Sequence, residues 1–188
     1  MMRTTPPMSR SSSNHFTIIM TIVIRPETAA DIEAVRNVNR SAFPTVLESN
    51  LVDALRNAGD AVINLVADVE GFVVGHIMFS PVTIGAHPIR GLGLAPVAVL
   101  PDLQNSGIGS DLIREGLDRA RGLNADFVVV LGEPDYYGRF GFVKASRFGL
   151  DNEYGVDDPF MVMTLQDGAL DNVAGLVKYS KVFAMVDV

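Results

Sequence analysis

Cysteine is missing from all 188 residues, which excludes disulfides, thiolate metal sites and a covalent cysteine nucleophile. The three histidines, His15, His76 and His87, lack the i, i+4 spacing of a helical zinc site, so no metal is expected. Long hydrophobic runs are missing too. Phe127–Leu131 is among the longest, against the roughly 20 apolar residues that span a bilayer, so no membrane span is expected. Basic residues are in deficit: 15 Lys and Arg stand against 22 Asp and Glu, for a net charge of -7 and a pI near 4.8. Such a balance argues against nucleic acid and anionic membrane as partners, because those surfaces are built to neutralise phosphates. It would attract cationic amines, yet it is also ordinary for a soluble protein and names no substrate.

What is present suffices for one compact domain. Hydrophobic residues make up 48% of the chain, enough for a sizeable core at this length. Residues 1–20 differ in composition from the rest: no acid, two arginines and the tract Ser11-Ser12-Ser13-Asn14. They read as a disordered extension on a single domain covering 21–188. Phe16–Met20 is too short for a secretory signal. A true start at Met20 is the preferred account, with an Arg/Ser-rich transit peptide as the alternative, and the cytoplasm is the expected location.

Ile22–Arg25 is a β-branched run ended by Pro26, and Thr28 is positioned to cap a helix carrying Ile32, Val35 and Val38. After Pro44, the spacing of Leu47, Leu51, Val52 and Leu55 predicts a second helix, stopped by Gly59. Strands are expected over 61–69 and 72–84, around the turn Glu70-Gly71, and again after Pro88. Ile108, Leu112, Ile113 and Leu117 form a helical stripe ending near Gly122, and Phe127–Leu131 is a buried strand. Pro134 opens a brief helix through Tyr137 that closes at Gly141. Strands follow from Phe142 and over Phe160–Leu165, giving βααβββαβαββ; residues 166–188 carry no readable period.

The stretch with chemistry in it is Val97-Ala98-Val99-Leu100-Pro101-Asp102-Leu103-Gln104-Asn105-Ser106-Gly107-Ile108-Gly109-Ser110. It sets a Q-x-x-G-x-G loop between an apolar strand and an amphipathic helix. Gly107 and Gly109 let backbone approach a ligand closely, and the first N–H groups of the helix point outward with the macrodipole behind them. Such a site prefers phosphate. No lysine follows Gly109, as a P-loop would require, and the loop follows a run of strands rather than the first strand of a βαβ unit, as a dinucleotide fingerprint would require. An ordinary tight turn before a helix is the alternative reading.

The V-x-V-x-P strand with its Q-x-x-G-x-G loop resembles motif A of the GNAT superfamily of N-acetyltransferases, and Tyr137-Gly138-Arg139-Phe140-Gly141-Phe142 resembles the Y-x-x-x-G-F of its motif B. The element order matches that family across residues 21–165. Gly75-His76-Ile77-Met78-Phe79-Ser80 and Tyr136–Phe142 look most like its YhbS-like branch. The resemblance implies an α+β fold with a mixed central sheet in which strands 4 and 5 run parallel and splay apart. Between them acetyl-coenzyme A would lie as cosubstrate, its acetyl group attacked directly by a primary amine of a small molecule or peptide.

In that frame Ala98 and Val99 would hold the pantetheine arm through backbone groups, and an N–H near Val99 would polarise the thioester oxygen. Gln104, Asn105, Ser106, Gly107, Ile108, Gly109 and Ser110 would cradle the diphosphate. Tyr137 matches the family's tyrosine and would protonate the departing thiolate as general acid, since a phenol of pKa about 10 can serve a thiol of about 8.5; a purely structural hydroxyl is the other reading. Tyr136 is read as a packing partner of Phe140. Glu48 and Glu133 are candidate bases or amine-recognition groups, or simply exposed charges. His76 reads as a satisfied sheet histidine and is not assigned as base. Asp151, Glu153, Asp157 and Asp158 could meet a cationic acceptor, or form a solvated acidic loop. A non-catalytic acyl-coenzyme A sensor or partner subunit is the alternative function, and a homodimer is an arrangement common in the family.

Overall fold

A computed structural model of the protein describes residues 21–186; the expected extension over residues 1–20 and His15 lie outside them. In chain order the elements are β1 (Ile22–Pro26), α1 (Ile32–Ala42), α2 (Leu47–Ala58), β2 (Ile63–Val69), β3 (Phe72–Ile84), β4 (Gly91–Val99), α3 (Ile108–Gly122), β5 (Phe127–Leu131), α4 (Pro134–Gly138), β6 (Val143–Lys144), β7 (Leu150–Asn152), β8 (Phe160–Thr164), β9 (Gly175–Lys178) and α5 (Lys181–Val186). The main sheet runs β1-β2-β3-β4-β5-β8-β6, with β4 and β5 parallel and the other pairs of that path antiparallel. The expected α+β architecture is therefore present. No helix among the described residues is long and apolar enough to cross a membrane.

Local chemistry explains the boundaries. The Asp31 carboxylate accepts from the backbone N–H and the hydroxyl of Thr28, at 2.7 and 2.8 Å, which ties down the chain as it enters α1. Gly59 ends α2 at φ +77°, donating its N–H back to the last turn. The long strand β3 has two differently clothed faces. Ile77 and Phe79 pack with Ile108, Leu112, Ile113 and Leu117 of α3; Met78, on the other face, packs with Val35, Val52, Leu55 and Val182 from α1, α2 and α5. Gly116 lets α3 settle on the sheet, since a Cβ there would stand 2.4 Å from the Phe79 ring.

Two features differ from the expected order. The strand expected from Phe142 is only Val143–Lys144, and it pairs at the outer edge of β8, so the last long strand lies inside it. The tail is structured: β9 pairs in parallel with β7 and antiparallel with Thr83 and Ile84 of β3, and α5 packs against α2.

A buried polar cluster joins five segments on the α1/α2 side of the sheet. Asn39 Nδ2 donates to the Val35 carbonyl at 2.9 Å and reaches His76 Nδ1 at 3.2 Å, which makes Nδ1 an acceptor and puts the imidazole proton on Nε2. Nε2–H then donates to Asn64 Oδ1 at 2.8 Å, with Glu27 Oε2 at 3.5 Å. Arg56 donates from Nε to Glu27 Oε1 at 2.8 Å and from Nη1 to Asp53 at 2.6 Å. Full burial pushes the His76 pKa down, outweighing the pull of Glu27. Unfolded, the imidazole takes a proton near its ordinary value of about 6.5; folded, it does so only at lower pH. Stability is thus full above that value and falls as pH drops through the window beneath it. Melting temperatures measured from pH 8 to 5 are expected to decline below about 6.5, with a shallower decline for His76→Gln.

Candidate active site

The β4–β5 ladder is short. Gly91, Leu92 and Gly93 pair with Phe127, Val128 and Val129, and the pairing goes no further, so the two strands separate towards their C-terminal ends. The β3–β4 register slips by one residue between Leu94 and Val97, beside Pro96, which cannot donate to a ladder. Beyond that bulge, Val99 stands opposite Gly75, and the N–H of the next residue, Leu100, donates to Val74 at 2.9 Å. Antiparallel geometry then fixes the parity: Ala98 exchanges its backbone bonds with His76, while the N–H groups of Val97 and Val99 point to the opposite edge, towards the gap left by β5. The free backbone edge is therefore carried by Val97 and Val99. Ala98, expected to offer backbone groups, spends them on β3, although the residue lines the gap.

That gap is a cleft of about 760 Å3, walled on one side by Ala42 and Phe43 at the end of α1 and on the other by Asp135, Tyr136 and Arg139. Its floor joins the loop before α3. Gln104 donates from Nε2 to the Val99 carbonyl at 3.1 Å, locking the loop to the strand end and leaving the Val99 N–H as the free group there. Asn105 and Gly107 sit at φ +61° and +97°. The first helical bond of α3 runs from the Asp111 N–H to the Gly107 carbonyl, so the N–H groups of Ile108, Gly109 and Ser110 have no carbonyl within the helix. A left-handed conformation costs a residue with a Cβ about 1–2 kcal/mol. Gly107→Ala is accordingly expected to lower stability by about that amount, although a Cβ there would meet nothing within 4 Å; a urea titration against wild type checks it.

Of the nine residues expected at the phosphate loop and strand end, Ala98, Val99, Gln104, Asn105, Gly107, Gly109 and Ser110 line the cleft. Ile108 turns its side chain into the core, and the Ser106 hydroxyl donates to the Leu103 carbonyl. Their contribution would be backbone alone.

Tyr137 and Tyr136 divide the space beyond β5. Tyr137 is buried, its ring 5.0 Å from Tyr136 and 5.8 Å from Phe142, and it lies flush on Gly132, where a Cβ would be 2.2 Å from Tyr137 Cε2. It thus stands beside the C-terminal end of β5, and among the described residues it is Tyr136, not Tyr137, that lines the cleft. Burial raises its pKa well above the usual value near 10, so the phenol keeps its proton. No hydrogen bond of its hydroxyl is found among the described residues. Tyr136 does pack on Phe140, 5.6 Å between ring centres, but it also lines the cleft, and its hydroxyl stands 3.1 Å from where a Cβ of Gly109 would be. The sequence signal for this second role was the Tyr-Tyr doublet itself: neighbours on a short helix cannot both face the core.

Glu48 and Glu133 are not brought to this cleft. Glu48 lies at the start of α2, accepts from the Thr45 hydroxyl at 3.2 Å, and borders a separate small pocket beside Phe183 of α5. Glu133 is exposed at the N-terminal end of α4, where its carbonyl accepts from the N–H groups of Tyr136 and Tyr137. The acidic group in the tail is largely occupied: Lys144 binds Asp157 and Asp158 at 2.6 and 2.7 Å, and Glu153 accepts from the Tyr179 N–H. His76 is buried and hydrogen-bonded, as a sheet histidine should be.

Residues 23–145 match the acetyltransferase (GNAT) domain family. The chain is 37% identical over 164 residues to the uncharacterized N-acetyltransferase YhbS of Escherichia coli K12, covering 86% of this chain and 98% of that one. The crystal structure of E. coli YhbS in complex with CoA superposes with a TM-score of 0.85 at 34% identity, over 88% of this chain and 93% of the other. A GNAT family acetyltransferase from Brucella melitensis, in complex with acetyl-CoA, superposes with a TM-score of 0.74 at 38% identity, over 87% and 99% of the two chains.

Proposed function

The chain belongs to the GNAT acetyltransferase family, and from that premise we propose that it transfers an acetyl group from acetyl-coenzyme A to a primary amine of a small molecule or peptide. The observation that carries the reading is the unpaired backbone edge of Val97 and Val99 running directly into the open N-terminus of α3. An extended, amide-bearing arm can add to the first as a further strand, and a diphosphate suits the second. Two relatives of similar fold and more than 30% identity hold coenzyme A and acetyl-coenzyme A, which supports the same ligand here.

The reaction follows from the placement of donors. With the acetyl carbonyl beside Val99, its N–H would stabilise the negative charge that develops on oxygen as the amine attacks. Collapse of that adduct breaks the carbon–sulfur bond, and the thiolate takes a proton from the Tyr137 hydroxyl, which is protonated at neutral pH although burial makes it a weaker acid than a free phenol. Tyr136 is a second reading for the donor, favoured by its position on the cleft wall with its hydroxyl beside Gly109. Neither Glu48 nor Glu133 lines the cleft, but Asp135 does, so the amine proton would leave to that carboxylate or through water. The acceptor would enter past Ala42 and Phe43.

A thermal-shift series tests the donor site. Coenzyme A at 100 times its dissociation constant should stabilise the protein by about 2.7 kcal/mol. A shift with a nucleotide and none with coenzyme A would overturn the reading. Turnover against a panel of primary amines then identifies the acceptor.

A further inference from the structure

Resting on that coenzyme A reading, we propose that Arg139 binds the 3′-phosphate of the coenzyme's ribose and so lets the enzyme distinguish coenzyme A from its dephospho form. Among the described residues Arg139 is the one cationic side chain lining the cleft. Its guanidinium carbon lies 4.5 Å above the centre of the Tyr136 ring and 5.5 Å from that of Phe140, and its Nε donates to the Tyr136 carbonyl at 3.2 Å. These contacts fix the inner edge of the fork and leave both terminal nitrogens without an acceptor among the described residues.

Among the described residues Arg40, Arg90 and Arg147 also lack a carboxylate partner, but of these unpaired arginines only Arg139 lines the cleft. Arg114, Arg119 and Arg121 on α3 are each paired with a carboxylate one turn away. Asp135 stands one turn before Arg139 and lines the same cleft, yet the two form no ion pair. Stacked on Tyr136 and unpaired with Asp135, the guanidinium is available to an anion from outside the chain. A planar fork with two free donors matches a phosphate monoester, which can accept both. The diphosphate already has the three free N–H groups of Ile108, Gly109 and Ser110 across the cleft. The anion left for Arg139 is the coenzyme's remaining one.

The test is calorimetric titration of wild type and Arg139→Gln with coenzyme A and with dephospho-coenzyme A. Arg139 is exposed, so the substitution should leave the fold intact, which circular dichroism checks. Wild type should bind coenzyme A more tightly than the dephospho form by about tenfold or more, and Arg139→Gln should lose that preference by weakening for coenzyme A alone. Unchanged coenzyme A affinity in the variant, or equal weakening for both ligands, would overturn the assignment while leaving the coenzyme A site standing. Failure of wild type to bind either ligand would overturn the coenzyme A reading itself.

Discussion

Tyr137→Phe is expected to lower kcat by about 10²- to 10⁴-fold while leaving the affinity for coenzyme A near that of wild type. The ring's packing against Gly132, Phe142 and Tyr136 survives the change, and the hydroxyl gives up no hydrogen bond among the described residues, so the structural cost is small. What disappears is a proton held in place by burial. The matching experiment is Tyr136→Phe. That hydroxyl stands at Gly109, on the phosphate-loop side of the cleft, and its loss should appear in the KM for acetyl-coenzyme A more than in kcat. Steady-state kinetics of both variants with one fixed amine separate the roles. A full kcat in Tyr137→Phe together with a collapsed kcat in Tyr136→Phe would move the proton donor to the cleft wall.

The parts of this site that could be read before the structure are those whose signal is local. Gly107 and Gly109 between an apolar strand and the stripe Ile108–Leu117 define a loop and a helix start without any knowledge of the rest of the chain. Which backbone edge of β4 lies free was not legible, because it depends on the parity of the β3–β4 register after a bulge at Pro96; the neighbouring residues Ala98 and Val99 look alike in sequence and face opposite ways. The doublet Tyr136-Tyr137 posed a similar problem. The i, i+4 relation to Phe140 correctly predicted packing for Tyr136, but packing and cleft lining are compatible for a ring that stacks on one face only. In the tail, β6, β7 and β9 are two, three and four residues long, too short for alternation to register, and β9 is organised by the distant end of β3. Glu48 and Glu133 have the residue type of a base at an approximate place in sequence, but their positions beside α5 and on the surface are set by tertiary packing.

Arg56→Ala is expected to destabilise the protein by about 3–5 kcal/mol, the usual result of stranding one buried charge by removing its partner. The Glu27 side chain is only 4% exposed and relies on Arg56 at 2.8 Å. Burial alone would favour its neutral form, yet His76 and Arg56 together hold the carboxyl below its ordinary range, so at neutral pH the charge is present and must be matched. His76 cannot take over: its own pKa is pushed down by burial, and its Nδ1 is committed to Asn39. In a chain of this size each kcal/mol corresponds to about 2–4 °C in Tm, so scanning calorimetry resolves the loss easily. A double-mutant cycle identifies its origin. If stranded charge is the cause, adding Glu27→Gln to Arg56→Ala should restore part of the stability, because the carboxylate that lost its partner is no longer there. If the two losses simply add, the Arg56 effect comes from its packing between α1 and α2 through Asp53, which also holds Arg36 at 2.7 Å. The consequence reaches the active site, since the same cluster contains Asn39, one turn before the Phe43 that walls the cleft. An Arg56 variant that still folds should therefore show a raised KM for the amine, with coenzyme A binding preserved on the far side of β4.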